Sequence, residues 1–315
     1  MHGLRDDRGA VGVMLALLMV PLIGFAALGV DVAATAVERQ QLQIGADAGA
    51  LAIAQDCARN NCQIPAITAQ SLAIANSNDG EATATVTNPL LTPLTGQVTV
   101  RNVGMREHWF APILGTDESS ITTQATAGWG SPSGGTAILP LAFSLCEFNA
   151  QTGGGLPSGT TEHTIFFTKS SGTTCAGPSG NLVPGGFGWL ATDSGTCRTT
   201  SAISNVLMTS TGVSVPSGCS TADFKAVQNQ TVLLPIFDLY GESGSNAWYR
   251  VYGYAAFVIT GYHFVGQYSW SNDGICKGSN RCIQGYFTQF VELSNAFQYG
   301  PGAPRLGSNV VVLTE

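Results

Sequence analysis

Residues 10–30 read AVGVMLALLMVPLIGFAALGV, a stretch without a single charged side chain. Because an α-helix rises about 1.5 Å per residue, this stretch is long enough to cross the ~30 Å hydrocarbon core of a membrane. A cleaved signal peptide is the alternative, but its apolar part is only about 7–15 residues long and ends at a cleavage site, whereas here the helical pattern continues. The sequence therefore predicts a transmembrane helix over residues 10–30.

The charges beside this span predict its orientation. Arg5 and Arg8 precede it, and basic residues next to a span are retained in the cytoplasm. We therefore expect residues 1–9 to form a short cytoplasmic N-terminus, and everything after Asp31 to be extracytoplasmic. This predicts a single-pass protein of the cytoplasmic (inner) membrane, in contact with membrane lipid.

The helical pattern continues past the span to about residue 58. Leu42, Ala46, Gly49, Ala50 and Ile53 recur at the spacing of one helical face. Since Ala and Gly let a second backbone come close, this face is predicted as a helix-packing interface for partner helices. The alternative is that the same face of an amphipathic helix lies on the protein's own β region.

Residues 8–52, RGAVGVMLALLMVPLIGFAALGVDVAATAVERQQLQIGADAGALA, resemble the Tad domain of TadE/TadG-like Flp pilus-assembly proteins. The shared pattern is an Arg-Gly before an apolar span with a central Pro, an Asp at the exit, an Arg-x-x-Leu-Gln segment and an Ala-Asp-Ala-x-Ala-Leu-Ala run. The residues that carry it are Arg8, Gly9, Pro21, Asp31, Arg39, Leu42, Gln43, Ala46, Asp47, Ala48, Ala50, Leu51 and Ala52.

The resemblance implies a membrane-anchored, non-enzymatic component of Tad/Flp-type pilus assembly, either minor-pilin-like or an assembly factor. Its implied partners are pilin or other Tad/Flp apparatus subunits, bound through the N-terminal helix. Gly9 is followed by AVGVM rather than by a Glu at the fifth position, so cleavage by a prepilin peptidase is not implied. The Asp-x-Ser-x-Ser metal loop of some related proteins is also absent from the sequence.

The rest of the chain predicts an α+β fold in which strands dominate. Residues 59–129 are predicted as a membrane-proximal α/β region, because NDGEATATVT, QVTVRNVG, WFAPILG and ITTQATAGWG read as strand, strand, short helix and strand. The Gly/Ser/Pro-rich segment 130–136 is predicted as a linker. Residues 137–315, with apolar and aromatic runs between Gly and Ser clusters, are predicted as a disulfide-stabilised, mostly-β extracytoplasmic domain that ends on the strand NVVVL.

Eight cysteines without a CxxC pair indicate an oxidising compartment and disulfide bonds. Two pairs are close in sequence and are predicted to be local, Cys57 with Cys62 and Cys276 with Cys282. The other four allow three connectivities, of which the sequential one is our prediction: Cys146 with Cys175 and Cys197 with Cys219. Zinc binding is the alternative, but structural zinc sites place their cysteines at other spacings.

The sequence offers no catalytic, cofactor-binding or metal-binding set, and we expect no enzymatic activity. A net charge of -7 and the absence of a basic patch argue against nucleic-acid binding. Asp238 and Glu242 flank Tyr240 and are the best candidates for a hydrolase, but a solvated turn explains them better. His263 lies in an aromatic strand pattern, where a structural role is the commoner one.

The alternative to an assembly role is a stand-alone cell-surface binding or adhesion module on the same membrane helix. Its ligand would be cell-wall or host glycan, and tryptophans are the side chains that would line such a face. The candidates are Trp129, Trp189, Trp248 and Trp270, for which core packing is the competing explanation.

Overall fold

The computed structural model describes residues 8–90, 95–210, 213–242, 246–264, 266–271, 274 and 276–314, with the backbone alone at 8–11 and 88–90. Most of the predicted cytoplasmic N-terminus, including Arg5, therefore lies outside the described residues. Strand residues (39%) outnumber helical residues (29%), and the prediction of a long N-terminal helix followed by a mostly-β ectodomain is confirmed.

The N-terminal helix α1, Arg8–Ala58, is continuous and passes through Pro21. Over residues 12–30 its side chains are mostly exposed, and this part makes α1 long and apolar enough to cross a membrane. From Leu42 onward one face is buried in the rest of the protein. A second helix, α2, Pro65–Asn76, begins with a proline in its first turn, where no N–H is needed, and packs beside α1.

A five-stranded sheet covers the buried face of α1. Alternate side chains of its strands point toward the helix, as the two-residue repeat of a strand requires, and among them are Val98, Val100, Ile121 and Ala125. Its strands, in spatial order, are β1 (Thr83–Leu90), β2 (Gly96–Glu107), β3 (Glu118–Gly130), β18 (Ser308–Thr314) and β16 (Phe290–Glu292). Between β2 and β3 lies a short 3₁₀ helix, Ala111–Leu114. The strand, strand, short helix and strand predicted here are the ones observed.

The distal part of the molecule is built on an eight-stranded sheet. Its main path is β6 (His163–Phe166), β15 (Cys282–Thr288), β13 (Trp248–His263), β12 (Thr231–Gly241), β5 (Leu141–Ser144) and β9 (Phe187–Trp189), while β11 (Val206–Met208) and β14 (Ser269–Trp270) also pair with β13. Two smaller sheets accompany it: β10 (Thr199–Ala202), β4 (Pro132–Ala137) and β17 (Phe297–Tyr299) form one, β7 (Thr174–Ala176) and β8 (Leu182–Pro184) the other. The described residues of this part also form short α-helices, α3 (Leu145–Thr152), α4 (Thr168–Ser171) and α5 (Thr221–Ala226).

Aromatic side chains fill the core of this distal part. Phe143 lies 4.6 Å from Phe257 and 5.4 Å from Phe287, measured between ring centroids. Trp189 makes an edge contact with Phe224 and another with Phe264. The aromatic side chains of the predicted strands therefore form the hydrophobic core of the distal part.

The segment 130–136 is not the linker that its composition predicted. Gly130 ends β3, and β4 starts two residues later and is hydrogen-bonded to β10 on one side and β17 on the other. A Cβ at Gly135 would lie 2.4 Å from the carbonyl oxygen of Ala296, so the glycine is required by a close approach of neighbouring backbone. Glycine here serves packing and not flexibility.

The C-terminal strand β18 returns to the membrane-proximal sheet. It pairs antiparallel with β3 and parallel with β16. The sheet that carries α1 is therefore built from two distant parts of the chain, residues 83–130 and 290–314.

Four disulfides join the cysteines in the sequential order that was predicted. The bonds are Cys57–Cys62, Cys146–Cys175, Cys197–Cys219 and Cys276–Cys282, and the described residues include no free cysteine. The first bond closes the turn between α1 and α2, and the other three lie in the distal part of the molecule.

Candidate functional site

The candidate site is the junction at which α1 passes from its apolar span into the ectodomain. Asp31, the first residue after the span, is only 5% exposed although it is charged. Its Oδ1 accepts the backbone N–H of Trp109 at 2.9 Å, and its Oδ2 accepts those of Phe110 and Ala111 at 2.9 and 2.7 Å. These N–H groups stand at the start of the 3₁₀ helix, where they have no partner within that helix. A single carboxylate therefore ties α1 to the β2–β3 connection.

Side chains next to this connection fix it on the sheet. The guanidinium carbon of Arg106 lies 5.3 Å from the centre of the Trp109 ring, a cation–π contact. His108 Nε2 and Ser119 Oγ are 2.7 Å apart, and the His108 N–H donates to the carbonyl oxygen of Asp117 at 2.9 Å. The two hydrogen bonds of His108 thus hold the ends of the β2–β3 connection together.

The five predicted helix-packing residues, Leu42, Ala46, Gly49, Ala50 and Ile53, are all buried inside the protein. A Cβ added to Gly49 would lie 3.4 Å from Cγ1 of Val100 and 3.6 Å from Cα of Ala69, so small side chains let α1 approach both β2 and α2 closely. This face contacts the protein's own sheet, which is the alternative that the sequence left open. It is not a free surface for a partner helix, because those side chains are already covered.

Side-chain amides add polar ties between α1 and the sheet. Asn102 Nδ2 donates to the carbonyl oxygen of Leu42 at 3.0 Å, and Gln43 Nε2 donates to the carbonyl oxygen of Gln124 at 3.1 Å and to Asp47 Oδ1 at 2.8 Å. At the far end of the helix, Asn309 Nδ2 donates to the carbonyl oxygen of Ala58 at 2.8 Å. Gln43 and Asp47, which belong to the recognised N-terminal pattern, thus help to hold the helix on the ectodomain.

The exposed side of α1 carries an apolar stripe that our reading of the sequence did not single out. Ile23, Val30, Val37 and Ile44 are exposed and follow one another every seven residues. Because seven residues are close to two helical turns, these side chains lie along one side of the helix. We call them the outer stripe; it runs from the apolar span into the part of α1 that carries the ectodomain. The seven-residue spacing was the signal that could have revealed it.

Asp238, one of the two hydrolase candidates, is already bound to another side chain. Asp238 is buried, and its carboxylate is bound by Arg250 through Nε at 3.0 Å and through Nη2 in a second, short contact. His263 is engaged by Ser269 Oγ at 3.1 Å and by the carbonyl oxygen of Gly278 at 3.3 Å. Within the described part of the chain, no group of three or more His, Cys, Asp or Glu residues is placed to hold a metal ion.

The four tryptophans proposed for a glycan face are in different environments. Trp129 and Trp189 are buried in the two cores. Trp248 is partly exposed and lines a cavity of about 220 Å³ together with Tyr240, Lys169 and other side chains. Trp270 is also partly exposed but packs against Tyr262. Of the two partly exposed tryptophans, Trp248 is the one at this cavity.

Comparison with known proteins identifies a family only for the N-terminal region. Residues 9–56 match the Tad family model, described as putative Flp pilus-assembly TadE/G-like. No curated protein and no solved structure matches the chain. The matched residues include the apolar span, Asp31 and the buried face of α1, and end within the last turn of that helix. The N-terminal region of this protein is therefore similar to the Tad domain of TadE/G-like Flp pilus-assembly proteins.

Proposed function

We propose that this protein is a membrane-anchored, non-enzymatic component of a Tad/Flp-type pilus-assembly apparatus, acting as a minor-pilin-like subunit or an assembly factor. One observation carries the proposal: the Tad match falls on a single helix that is exposed and apolar in its first part and built into the ectodomain in its second. In the proposed topology the helix crosses the cytoplasmic membrane with its N-terminus inside, and the ectodomain stands outside the cytoplasm.

A continuous helix suits an assembly role for a mechanical reason. The buried face of α1, its polar ties to the sheet and the Asp31 carboxylate leave no flexible segment between the span and the membrane-proximal sheet. Any subunit that binds the helix therefore also sets the position of that sheet.

The outer stripe is the surface that we assign to partner helices. Val37 and Ile44 lie beyond the span, so the apolar side of the helix continues past the membrane as an exposed surface. A spacing of seven residues is also the repeat with which two helices pack side by side. Partner subunits of the apparatus would thus bind the side of α1 opposite to its own sheet.

The test is affinity purification of the tagged, full-length protein from membranes of its native cell, followed by mass spectrometry. Wild type is compared with Val37→Glu and with a matched control, Val206→Glu, because the two valines are almost equally exposed (52% and 54%) and only Val37 is on the outer stripe. We expect pilin and other Tad/Flp subunits with wild type and the control, and their loss with Val37→Glu. Recovery of the protein alone from wild type would overturn the assembly role, and equal recovery from all three would overturn the stripe as its interface.

A second candidate function, glycan binding at the cell surface, is favoured by the cavity beside Trp248. Tyr240, Tyr249 and Trp248 offer aromatic faces, and Lys169 and Glu242 offer polar groups at the same cavity, a combination that suits a sugar ring. Calorimetric titration of the purified protein with cell-wall fragments and host-type oligosaccharides, repeated with Trp248→Ala, tests it. Binding that Trp248→Ala abolishes would support this function, and absence of heat with every glycan would remove it.

A further inference from the structure

The tip of the β2–β3 hairpin exposes a cluster of large apolar side chains. Trp109 is 66% exposed, Phe110 39%, Ile113 85% and Leu114 71%, and the stretch from 109 to 115, WFAPILG, has no charged residue. Single exposed apolar residues are common on soluble surfaces, but four of them on one short connection call for a covering surface. We call these four residues the apolar foot.

The apolar foot lies beside the membrane span and not at its end. Phe110, Ile113 and Leu114 line a groove of about 270 Å³ whose other wall is α1, from Pro21 to Leu28. Pro21 precedes Val30, the last residue of the apolar stretch, by nine positions, so at about 1.5 Å per residue the groove reaches about 13 Å below the end of the span. Wherever the span is surrounded by hydrocarbon, the foot is at the same depth.

The backbone of the foot is already suited to a medium without water. In hydrocarbon every N–H needs a partner within the protein. The N–H groups of Trp109, Phe110 and Ala111 donate to Asp31, that of Ile113 donates to the carbonyl oxygen of Phe110, and that of Gly115 to the carbonyl oxygen of Pro112. Pro112 itself has no N–H to satisfy. The buried carboxylate of Asp31 thus makes an otherwise polar turn compatible with lipid.

Polar residues begin where the foot ends. Arg106, Glu107 and His108 precede it, and Asp117 and Glu118 follow it. Trp109 stands at this boundary with its ring against Arg106. Tryptophan and arginine are the side chains that typically mark the level of the lipid headgroups. The polar boundary of the hairpin therefore lies at the level of Asp31, where the span also ends.

From this juxtaposition we infer that the apolar foot inserts into the membrane leaflet on the side of the ectodomain, with lipid acyl chains covering Ile113 and Leu114. The inference rests on the membrane anchor in the proposed function and adds a second point of attachment to it. The groove is continuous with the span, because one of its walls consists of span residues that lipid surrounds. Lipid is therefore a better candidate to cover the foot than a soluble protein. Two points of attachment prevent the ectodomain from tilting freely about α1.

The experiment places a fluorescent label at three single-cysteine positions of the full-length protein in nanodiscs of phosphatidylcholine and phosphatidylglycerol. The variants are Ile113→Cys in the foot, Val20→Cys in the span and Val206→Cys in the distal sheet; all three native side chains are exposed. The native cysteines in the described residues are disulfide-bonded and do not react with a thiol-specific label. Quenching is measured with lipid that carries a nitroxide on its acyl chain.

We expect several-fold quenching of the labels at positions 113 and 20 and none at 206. Quenching at 20 without quenching at 113 would overturn the inserted foot while leaving the anchor intact. Absence of quenching at both positions would overturn the anchor and the foot together. A label at 113 with blue-shifted emission that lipid nitroxide does not quench would overturn lipid insertion in favour of a protein that fills the groove, such as a second copy of the chain.

Discussion

Asp31 shows how one side chain can join a membrane anchor to a folded ectodomain. Its carboxylate accepts hydrogen bonds from three N–H groups of a turn that is 78 to 80 positions away in sequence. A charged acceptor makes stronger hydrogen bonds than a neutral one, and an N–H group left without a partner in a buried place is costly. The residue was recognised in the sequence as part of the N-terminal pattern, but nothing near it in the chain could reveal its partners.

We expect Asp31→Ala to release the turn that begins the 3₁₀ helix. The amide protons of Trp109, Phe110 and Ala111 should exchange with solvent on the order of tenfold faster or more, because their acceptor is gone. Hydrogen exchange of the full-length protein in nanodiscs, followed by mass spectrometry of the peptide that covers these residues, measures the change.

The control for this prediction is Asp56→Asn, on the same helix, since the hydrogen bond of Asp56 to Gln63 is long, at 3.5 Å, and exposed. Hydrogen exchange at residues 109–111 should be the same in Asp56→Asn as in the wild type. If Asp31→Ala also left it unchanged, the carboxylate would not be what holds the turn.

Glu38 is a second buried carboxyl on α1, and its surroundings disfavour the charged form. Burial raises its pKa above the ordinary value of 4.5, the nearby negative charge of Asp79 raises it further, and Arg106 lowers it in part. Its Oε1 has no hydrogen-bond partner among the described residues. Since the pKa in the folded protein lies above that of the unfolded chain, ionisation favours unfolding, and stability is lost as pH rises from about 4.5 through the folded pKa.

Glu38→Gln should therefore raise the thermal unfolding midpoint at pH 7, because it removes the charge that burial disfavours. The advantage should disappear below about pH 4, where the wild-type carboxyl is protonated in both states. Thermal unfolding of both proteins in nanodiscs across this pH range checks it. An advantage that stays the same at every pH would mean that packing, and not charge, causes it.

At the scale of elements, α1 has two faces with different uses. Its inner face packs on β2 and α2, whereas the outer stripe remains exposed. The spacing of Leu42, Ala46 and Ala50 predicted that a face is packed, but it could not tell what covers it. The covering strand comes some fifty residues later, and helical periodicity carries no information about such distant partners.

An element could be predicted only where its own residues show a pattern of burial. The strands β2 and β3 were recognisable because buried residues alternate along them. Helix α2 was missed, because its buried residues are Ala69 and Ala73, while its larger Ile67 and Ile74 are exposed. Its hydrophobic pattern therefore points away from the core. Segment 130–136 was wrongly predicted as a linker. Its glycines allow close packing, but in the sequence they cannot be told apart from the glycines of a flexible linker.

Overpacking the inner face should loosen α1 from the sheet. Ala50 is fully buried, so Ala50→Leu forces large atoms into filled space and should destabilise the protein by about 1–3 kcal/mol. Ala36→Leu is the matched control on an exposed position of the same helix and should change stability little. Thermal or denaturant unfolding in nanodiscs compares them, and equal stability of the two variants would contradict the packing seen along α1.

At the scale of the whole molecule, the C-terminal strand links the membrane-proximal sheet to the distal part. β18 is the neighbour of β3 in that sheet, and Asn309 at its start holds the carbonyl of Ala58 at the end of α1. The sequence predicted that NVVVL would return to a sheet, but not to which one. The membrane-proximal sheet cannot be completed until the last residues of the chain are available, because β18 follows every strand of the distal part.

A chain shortened to end at Gly307 should consequently fail to complete this sheet, although it retains α1, α2 and the strands β1 to β3. It loses the buried side chains of Val310 and Val311, each contributing about 1.5–3 kcal/mol, and leaves the edge of β3 open to non-native pairing. Limited proteolysis in nanodiscs should then cut within β2 and β3, which we expect to resist cleavage in the intact protein. A chain ending at Leu313 is the control, because it keeps both valines and should resist as the full chain does. If the shorter chain resisted equally well, the membrane-proximal sheet would be stable without β18, and the two regions would be joined in sequence but independent in stability.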